Sequence, residues 1–165
     1  MYEQIRSATQ SVLGIPVDID FFDYKGPSPG VCLLQIEPGL VHPIFQWHVS
    51  SGTLRMLALM TALFGETESS LIGIEEPENY VHPTALAAFA KCLKQARDRV
   101  QILVTTHSPL LLDFLDEPES VCVVRRDAHQ GTRVTLESNP AGVRRALEES
   151  GFGLGEFHET KGFGG

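Results

Sequence analysis

Positive charge is scarce in this chain: 13 Lys and Arg stand against 21 Asp and Glu in 165 residues, for a formal net charge of −8. A broad nucleic-acid-binding face needs clustered cations to meet phosphates, so that class of surface is not expected. The local pairs Arg97 with Arg99, Arg125 with Arg126 and Arg144 with Arg145 read as exposed helix ends or loops. Cysteine is sparse too. Cys32, Cys92 and Cys122 are odd in number and scattered, which excludes a disulfide frame or zinc cluster and suits reduced, buried thiols in a cytoplasmic protein. No apolar run approaches the roughly 20 residues of a membrane span, so no membrane partner is expected. The opening MYEQIRSATQSV is too polar for a targeting signal. With 42% hydrophobic residues, the chain is long enough for one domain with a real core. That core buries about 70% of the unfolded surface.

The richest stretch is SSLIGIEEPENYVHP, where an apolar run from Leu71 to Ile74 stops at two adjacent carboxylates, Glu75 and Glu76. Four small or branched apolar residues read as a buried parallel strand, and acids at such a strand's carboxyl end sit where open α/β sheets hold ligands. A second run, Val100 to Val104, reads as another buried strand, followed by Thr105, Thr106 and His107. Between them, Leu86, Phe89, Ala90, Leu93 and Ala96 fall at helical spacing, with Pro83 suited to the first turn. The three make a βαβ unit, whose strands are parallel neighbours with both carboxyl ends on one edge, so His107 is expected to approach Glu76.

A third feature precedes these. In HVSSGTLRMLALMTALF, Ser50 and Ser51 stand before a helix whose Leu54, Leu57, Ala58 and Thr61 form one face. Serine hydroxyls, a side-chain-free Gly52 and the unpaired amides of a helix start make a place for an anion, most naturally a phosphate.

Elsewhere the pattern predicts an antiparallel hairpin between Val17 and Gly39, a short helix capped by Ser108 with Pro109 in its first turn and running from Leu110 to Leu115, and two strands flanking the turn AHQGT. A helix from Ala141 to Glu149 leads into GFGLGEFHETKGFGG. That Gly-rich tail reads by default as a flexible terminus, with Phe152, Phe157 and Phe163 available to pack it back onto the body.

Taken together, VSSGTLR, LIGIEEPENYVHP and ILVTTHSPLLLD resemble, in order and spacing, three motifs of ABC-type ATPase heads: the signature motif, the Walker B strand with its D-loop, and the switch-histidine loop. The resemblance is to predicted ATPases grouped with OLD-family, RecF-type and SMC-type heads, and it runs from about Gln46 to the end of the chain. It implies an α/β fold, mainly a parallel sheet flanked by helices, with the small hairpin near the N-terminus. It implies ATP and Mg2+ as cofactors. Glu75 matches the Walker B position that orients magnesium, Glu76 the carboxylate that polarises the attacking water, and His107 the histidine that contacts the γ-phosphate. Ser50, Ser51, Gly52 and Thr53 match the signature loop, which reaches the nucleotide of the other protomer in a head-to-tail homodimer. Asn79 to His82 matches the D-loop.

The chain departs from the pattern in three places. Glu75 replaces the commoner Asp, Ser51 and Thr53 differ from the transporter-type signature, and no G-x-x-x-x-G-K-[ST] segment is present to cradle α- and β-phosphates. The expectation is therefore a single partial domain over residues 1–165, the C-terminal half of a head, inactive alone and completed by an N-terminal half that carries Walker A. By family analogy it serves DNA repair, chromosome-associated or phage-defence systems, with a nucleic-acid or nuclease partner. Two other readings stand beside it: a metal-dependent hydrolase or nuclease using Glu75, Glu76, Glu78, His82 and His107, and a catalytically silent dimerisation module.

Overall fold

A computed structural model describes the chain except for residues 1, 15–17, 26–29, 37–38, 40, 43, 67–68, 80, 128, 130, 138, 161 and 164–165. The chain forms two compact units, Met1–Thr106 and His107–Gly165.

The first unit opens with helix α1, Tyr2–Leu13, which the polar opening did not announce. Its buried Thr9 and Val12 lie against the rest of the unit, and the Thr9 hydroxyl donates to the Ile5 carbonyl at 2.8 Å. Gly14, at φ +69°, ends it in the left-handed conformation that suits glycine. Strands β1, Asp18–Tyr24, and β2, Gly30–Ile36, form the expected antiparallel hairpin, and the two-residue β3, Ile44–Phe45, pairs antiparallel with β2. The side chain of Cys32 lies outside the described residues.

Helix α2, Ser51–Phe64, buries Met56, Met60, Leu63 and Phe64. The face expected from Leu54, Leu57, Ala58 and Thr61 is a correction: Ala58 and Thr61 are exposed and the other two half-buried. The helix is apolar around most of its circumference, so spacing alone did not fix which stripe turns inward. Helix α3, Pro83–Ala96, behaves as expected. Leu86, Phe89, Ala90, Leu93 and Ala96 are all buried, and Phe89 is fully so. Helices α1, α2 and α3 pack on one another, and this trio carries the core of the unit. Arg99 ties the end of α2 down, donating to the carbonyls of Gly65, at 2.9 Å, and Leu63. Its place in an exposed basic pair concealed that capping role.

Strands β4, Leu71–Glu75, and β5, Gln101–Thr105, run parallel in the register Leu71↔Gln101 to Glu75↔Thr105, so both carboxyl ends lie side by side. This is the pairing that the βαβ spacing implied. Burial alternates along both strands, with Ile72, Ile74, Ile102 and Val104 turned inward. The expectation of strands buried on both faces is corrected on the other face, where Leu71 is 51% and Leu103 56% exposed. A parallel sheet is ordinarily covered on both sides.

The second unit begins with helix α4, Pro109–Leu115, capped by the Ser108 hydroxyl, which accepts from the Leu111 amide at 3.3 Å. Strands β6, Cys122–Asp127, and β7, Gly131–Leu136, form an antiparallel ribbon, followed by α5, Pro140–Ser150. The described part of the Gly-rich tail departs from its default reading: it contains α6, Leu154–Thr160, and the core of this unit is Val143, Leu154, Phe157 and Phe163. Glycine serves close packing there. A Cβ on Gly155 would lie 2.0 Å from the Pro109 carbonyl oxygen, so only glycine lets α6 approach α4 this closely. Asp113 completes the junction by accepting from the Gly155 amide at 2.7 Å. Cys122 is exposed on its ribbon, contrary to the expectation of a buried thiol, while Cys92 is buried as expected.

Candidate functional site

The site is built from two loops of the first unit. The first precedes α2. Ser50 takes the cap position in extended conformation, and its hydroxyl accepts from the Thr53 amide at 3.1 Å and meets the Thr53 hydroxyl at 2.8 Å. One of the helix's orphan donors is thereby satisfied, and the positive end of α2 stays at the loop. Ser51 is exposed, and Gly52 and Thr53 are half-buried. Helix α3 starts nearby. His82 caps it through Nδ1, which accepts from the Thr84 amide at 3.3 Å. Both helix starts open on one groove of about 290 Å³, whose walls include Leu13, Ser50, Gly52, Thr53, His82 and Thr84. The signature-like loop and the end of the D-loop-like segment are thus brought together.

The second loop follows β4. Glu75 ends the strand with its side chain on the open face. Glu76 turns out of the sheet at φ +41°, a left-handed conformation rarely held by a residue with a Cβ. Its amide still donates to the Thr105 carbonyl at 2.8 Å, which extends the β4–β5 ladder by one bond. The turn is closed from within: the Asn79 amide donates to the Glu76 carbonyl at 3.1 Å, and the Asn79 side chain donates to the Glu76 carboxylate at 2.6 Å. Pro77 is fully buried beneath it, and the Thr106 hydroxyl donates to the Glu78 carboxylate at 2.7 Å, fastening the loop to the end of β5. Tyr80 lies outside the described residues.

One side chain joins the two loops, and sequence reasoning assigned it no role. Arg55, one turn into α2, donates from Nη2 to the carbonyls of Glu75, at 2.8 Å, and Glu76, at 2.9 Å. The only signal in the sequence was its place in VSSGTLR. His107, the second residue past β5, is exposed and opens the second unit.

Glu75 and Glu76 form a pair of adjacent carboxylates at one strand end. Among the described residues no group of three or more His, Cys, Asp and Glu is gathered to hold a metal ion. Two carboxylates without a full cage suit Mg2+, which keeps waters and shares its coordination with substrate phosphates, better than a metal held by protein ligands alone. No helix among the described residues is long and apolar enough to cross a membrane.

The fold is similar to that of SMC ATPase heads. An SMC ATPase structure described for ATP-driven dimerization and DNA-stimulated activation superposes with a TM-score of 0.56 at 14% identity, covering 92% of this chain and 93% of that one. The Smc head of Pyrococcus furiosus, solved with the C-terminal domain of ScpA, superposes with a TM-score of 0.64 at 12% identity, covering 92% of this chain and 37% of that one. The chain belongs to the family described as "AAA domain, putative AbiEii toxin, Type IV TA system", whose model matches residues 8–113, and so to the AAA-type P-loop NTPases. It is also 40% identical over 65 residues to the OLD nuclease of Thermus scotoductus. That match takes in 38% of this chain and only 12% of the nuclease.

Proposed function

We propose that the chain is the C-terminal half of an ATPase head, which completes an ATP site with a P-loop-bearing half and closes on a second head around the nucleotide. The observation that carries this reading is the tie between the Ser50–Thr53 loop and the Glu75–Glu76 turn through Arg55, because closing two heads around nucleotide needs the loop that meets the partner's phosphate joined to the turn that carries this head's own acid. The open face of β4 and β5, with Leu71 and Leu103 uncovered, supports a missing half: apolar sheet surface of this kind is ordinarily packed against further structure.

In this reading Glu76 accepts hydrogen bonds from the water and takes up its proton as it attacks, while Asn79 fixes the carboxylate. Glu75 would help to hold Mg2+, which neutralises phosphate oxygens when bound. His107 is assigned to the γ-phosphate by its position after β5. Ser50, with Ser51, Gly52 and Thr53, serves the nucleotide of the opposing protomer, where the start of α2 favours negative charge. Asn79 and His82 lie on the segment assigned to the protomer contact. A nucleic-acid or nuclease partner belongs to the same proposal.

The test is ATP turnover by the chain alone and by the chain joined to or mixed with its P-loop half. The chain alone should show only background hydrolysis, and the complete head should turn over ATP with Mg2+. In the complete head, Glu76→Gln should lower hydrolysis about 10²-fold while nucleotide binding persists, and should hold the head as an ATP-bound dimer on gel filtration. Robust Mg2+-dependent turnover by the chain alone, or a Glu76→Gln head that binds ATP tightly yet stays monomeric, would overturn this reading.

A further inference from the structure

We infer that Arg55 is a positioning residue that couples the Ser50–Thr53 loop to the hydrolytic turn, and that the left-handed backbone of Glu76 is the other half of the same device. The inference rests on the proposed function and adds to it how contact at one loop is felt at the other. In an extended strand, successive carbonyls point to opposite sides, so one nitrogen cannot reach two in a row. Here Nη2 of Arg55 meets both, at 2.8 Å from Glu75 and 2.9 Å from Glu76. What allows it is the positive φ of Glu76, which turns the second carbonyl to the side of the first. The dependence runs both ways. Such a conformation persists in a non-glycine residue only when its surroundings hold it, and Arg55 is the part of those surroundings that belongs to α2.

Three further observations point the same way. The Nε of Arg55 is buried and meets no acceptor among the described residues, so the guanidinium is placed for its contact at Nη2 at the expense of another donor. Helix α2 begins at Ser51, and Arg55 lies one turn along the same rigid element, so a shift of the helix start carries the guanidinium with it. The Glu76 carboxylate is held by Asn79 of the same turn, so moving the backbone at Glu76 moves the acid. A γ-phosphate drawn to the start of α2 would thereby bias, through Arg55, the geometry of the acid that activates water.

The experiment compares Arg55→Gln and Arg55→Lys in the complete head and in the chain alone. In the complete head, Arg55→Gln should lower kcat about tenfold or more with KM for ATP within about twofold, and Arg55→Lys, which can still donate to two carbonyls, should recover part of the loss. In the chain alone, hydrogen exchange in the segment from Glu76 to Asn79 should rise about tenfold in Arg55→Gln, while the Leu86–Ala96 segment of α3 keeps its protection. Wild-type kcat in Arg55→Gln would overturn the coupling. So would a loss of nucleotide binding and melting temperature in step with kcat, which would mark a merely structural arginine. If the wild-type head hydrolyses no ATP, the proposed function falls and the coupling with it. The exchange measurement would still report whether Arg55 holds the turn.

Discussion

The Asn79 side chain donates to the Glu76 carboxylate at 2.6 Å across a turn that Glu76 itself opens at φ +41°. The hydrogen bond fixes the direction in which the carboxylate points, which a water-activating base requires. Asn79→Ala should therefore lower kcat of the complete head about tenfold while ATP affinity persists. Asn79→Asp should be worse, because it replaces the donor with a second carboxylate, which cannot bond the Glu76 carboxylate and repels it from its place. An Asn79→Asp head with wild-type kcat would show that Asn79 does not hold Glu76 in place.

The tail makes a stability prediction. Gly155→Ala would place a Cβ 2.0 Å from the oxygen and 2.4 Å from the carbon of the Pro109 carbonyl group, where no side-chain rotation can relieve it. The cost should reach about 3 kcal/mol, the upper end of ordinary overpacking, and should unfold the second unit first. Denaturant titration of the chain, read by far-ultraviolet circular dichroism, checks this. An unchanged midpoint would show that α6 is free to draw away from α4.

Those two sites also show what was legible in the sequence. Strands β4 and β5 and helix α3 were readable because each carries one strong signal: a short apolar run stopped by polar residues, or apolar residues at one helical spacing. Their register then placed Glu75 and Thr105 side by side. Helix α1 was missed because its inward positions, Ile5, Ala8, Thr9 and Val12, are spaced as a helix requires but include small and polar residues that blur the contrast. The face of α2 was misread for the opposite reason, since nearly every position is apolar. The tail was misread because glycine marks both flexible chain and close packing, and only the partner surface distinguishes them. Arg55 was invisible as a link because its acceptors are backbone carbonyls, which every residue carries.

The two thiols among the described side chains, Cys92 and Cys122, should differ in reactivity. Burial pushes the Cys92 thiol above its ordinary range, whereas Cys122 is exposed on β6. At pH 8 a thiol-labelling reagent should modify Cys122 in the folded chain and reach Cys92 only in denaturant, as read by peptide mass spectrometry. The same shift has a stability sign. The folded pKa is raised, so the contribution of Cys92 is fully present below the pKa of the unfolded thiol and is lost as pH rises through the folded value. Stability should therefore decline on the alkaline side in the wild type and less in Cys92→Ala. Rapid native labelling of Cys92 would contradict its burial.

The assignment of Ser50 to the opposing protomer yields the sharpest test of the proposed dimer. Ser50 caps α2 through the Thr53 amide, so a substitution there tests two roles at once. Ser50→Arg loses the cap, at about 1 kcal/mol, which a folded head should tolerate. Its bulk should also block phosphate contact at the helix start, and with it ATP-induced dimerisation, while leaving ATP binding by the same head's own P-loop intact. Heads carrying Ser50→Arg and heads with a disabled P-loop should each be inactive. Mixed, they form a dimer in which one composite site is whole, built from the P-loop of the Ser50→Arg head and the Ser50 loop of the other. Partial ATPase activity should reappear on mixing, with a ceiling set by one site per mixed dimer. If the folded mutants stay inactive in every ratio, Ser50 does not act across the dimer, and if Ser50→Arg alone is fully active, its hydroxyl serves only as a helix cap.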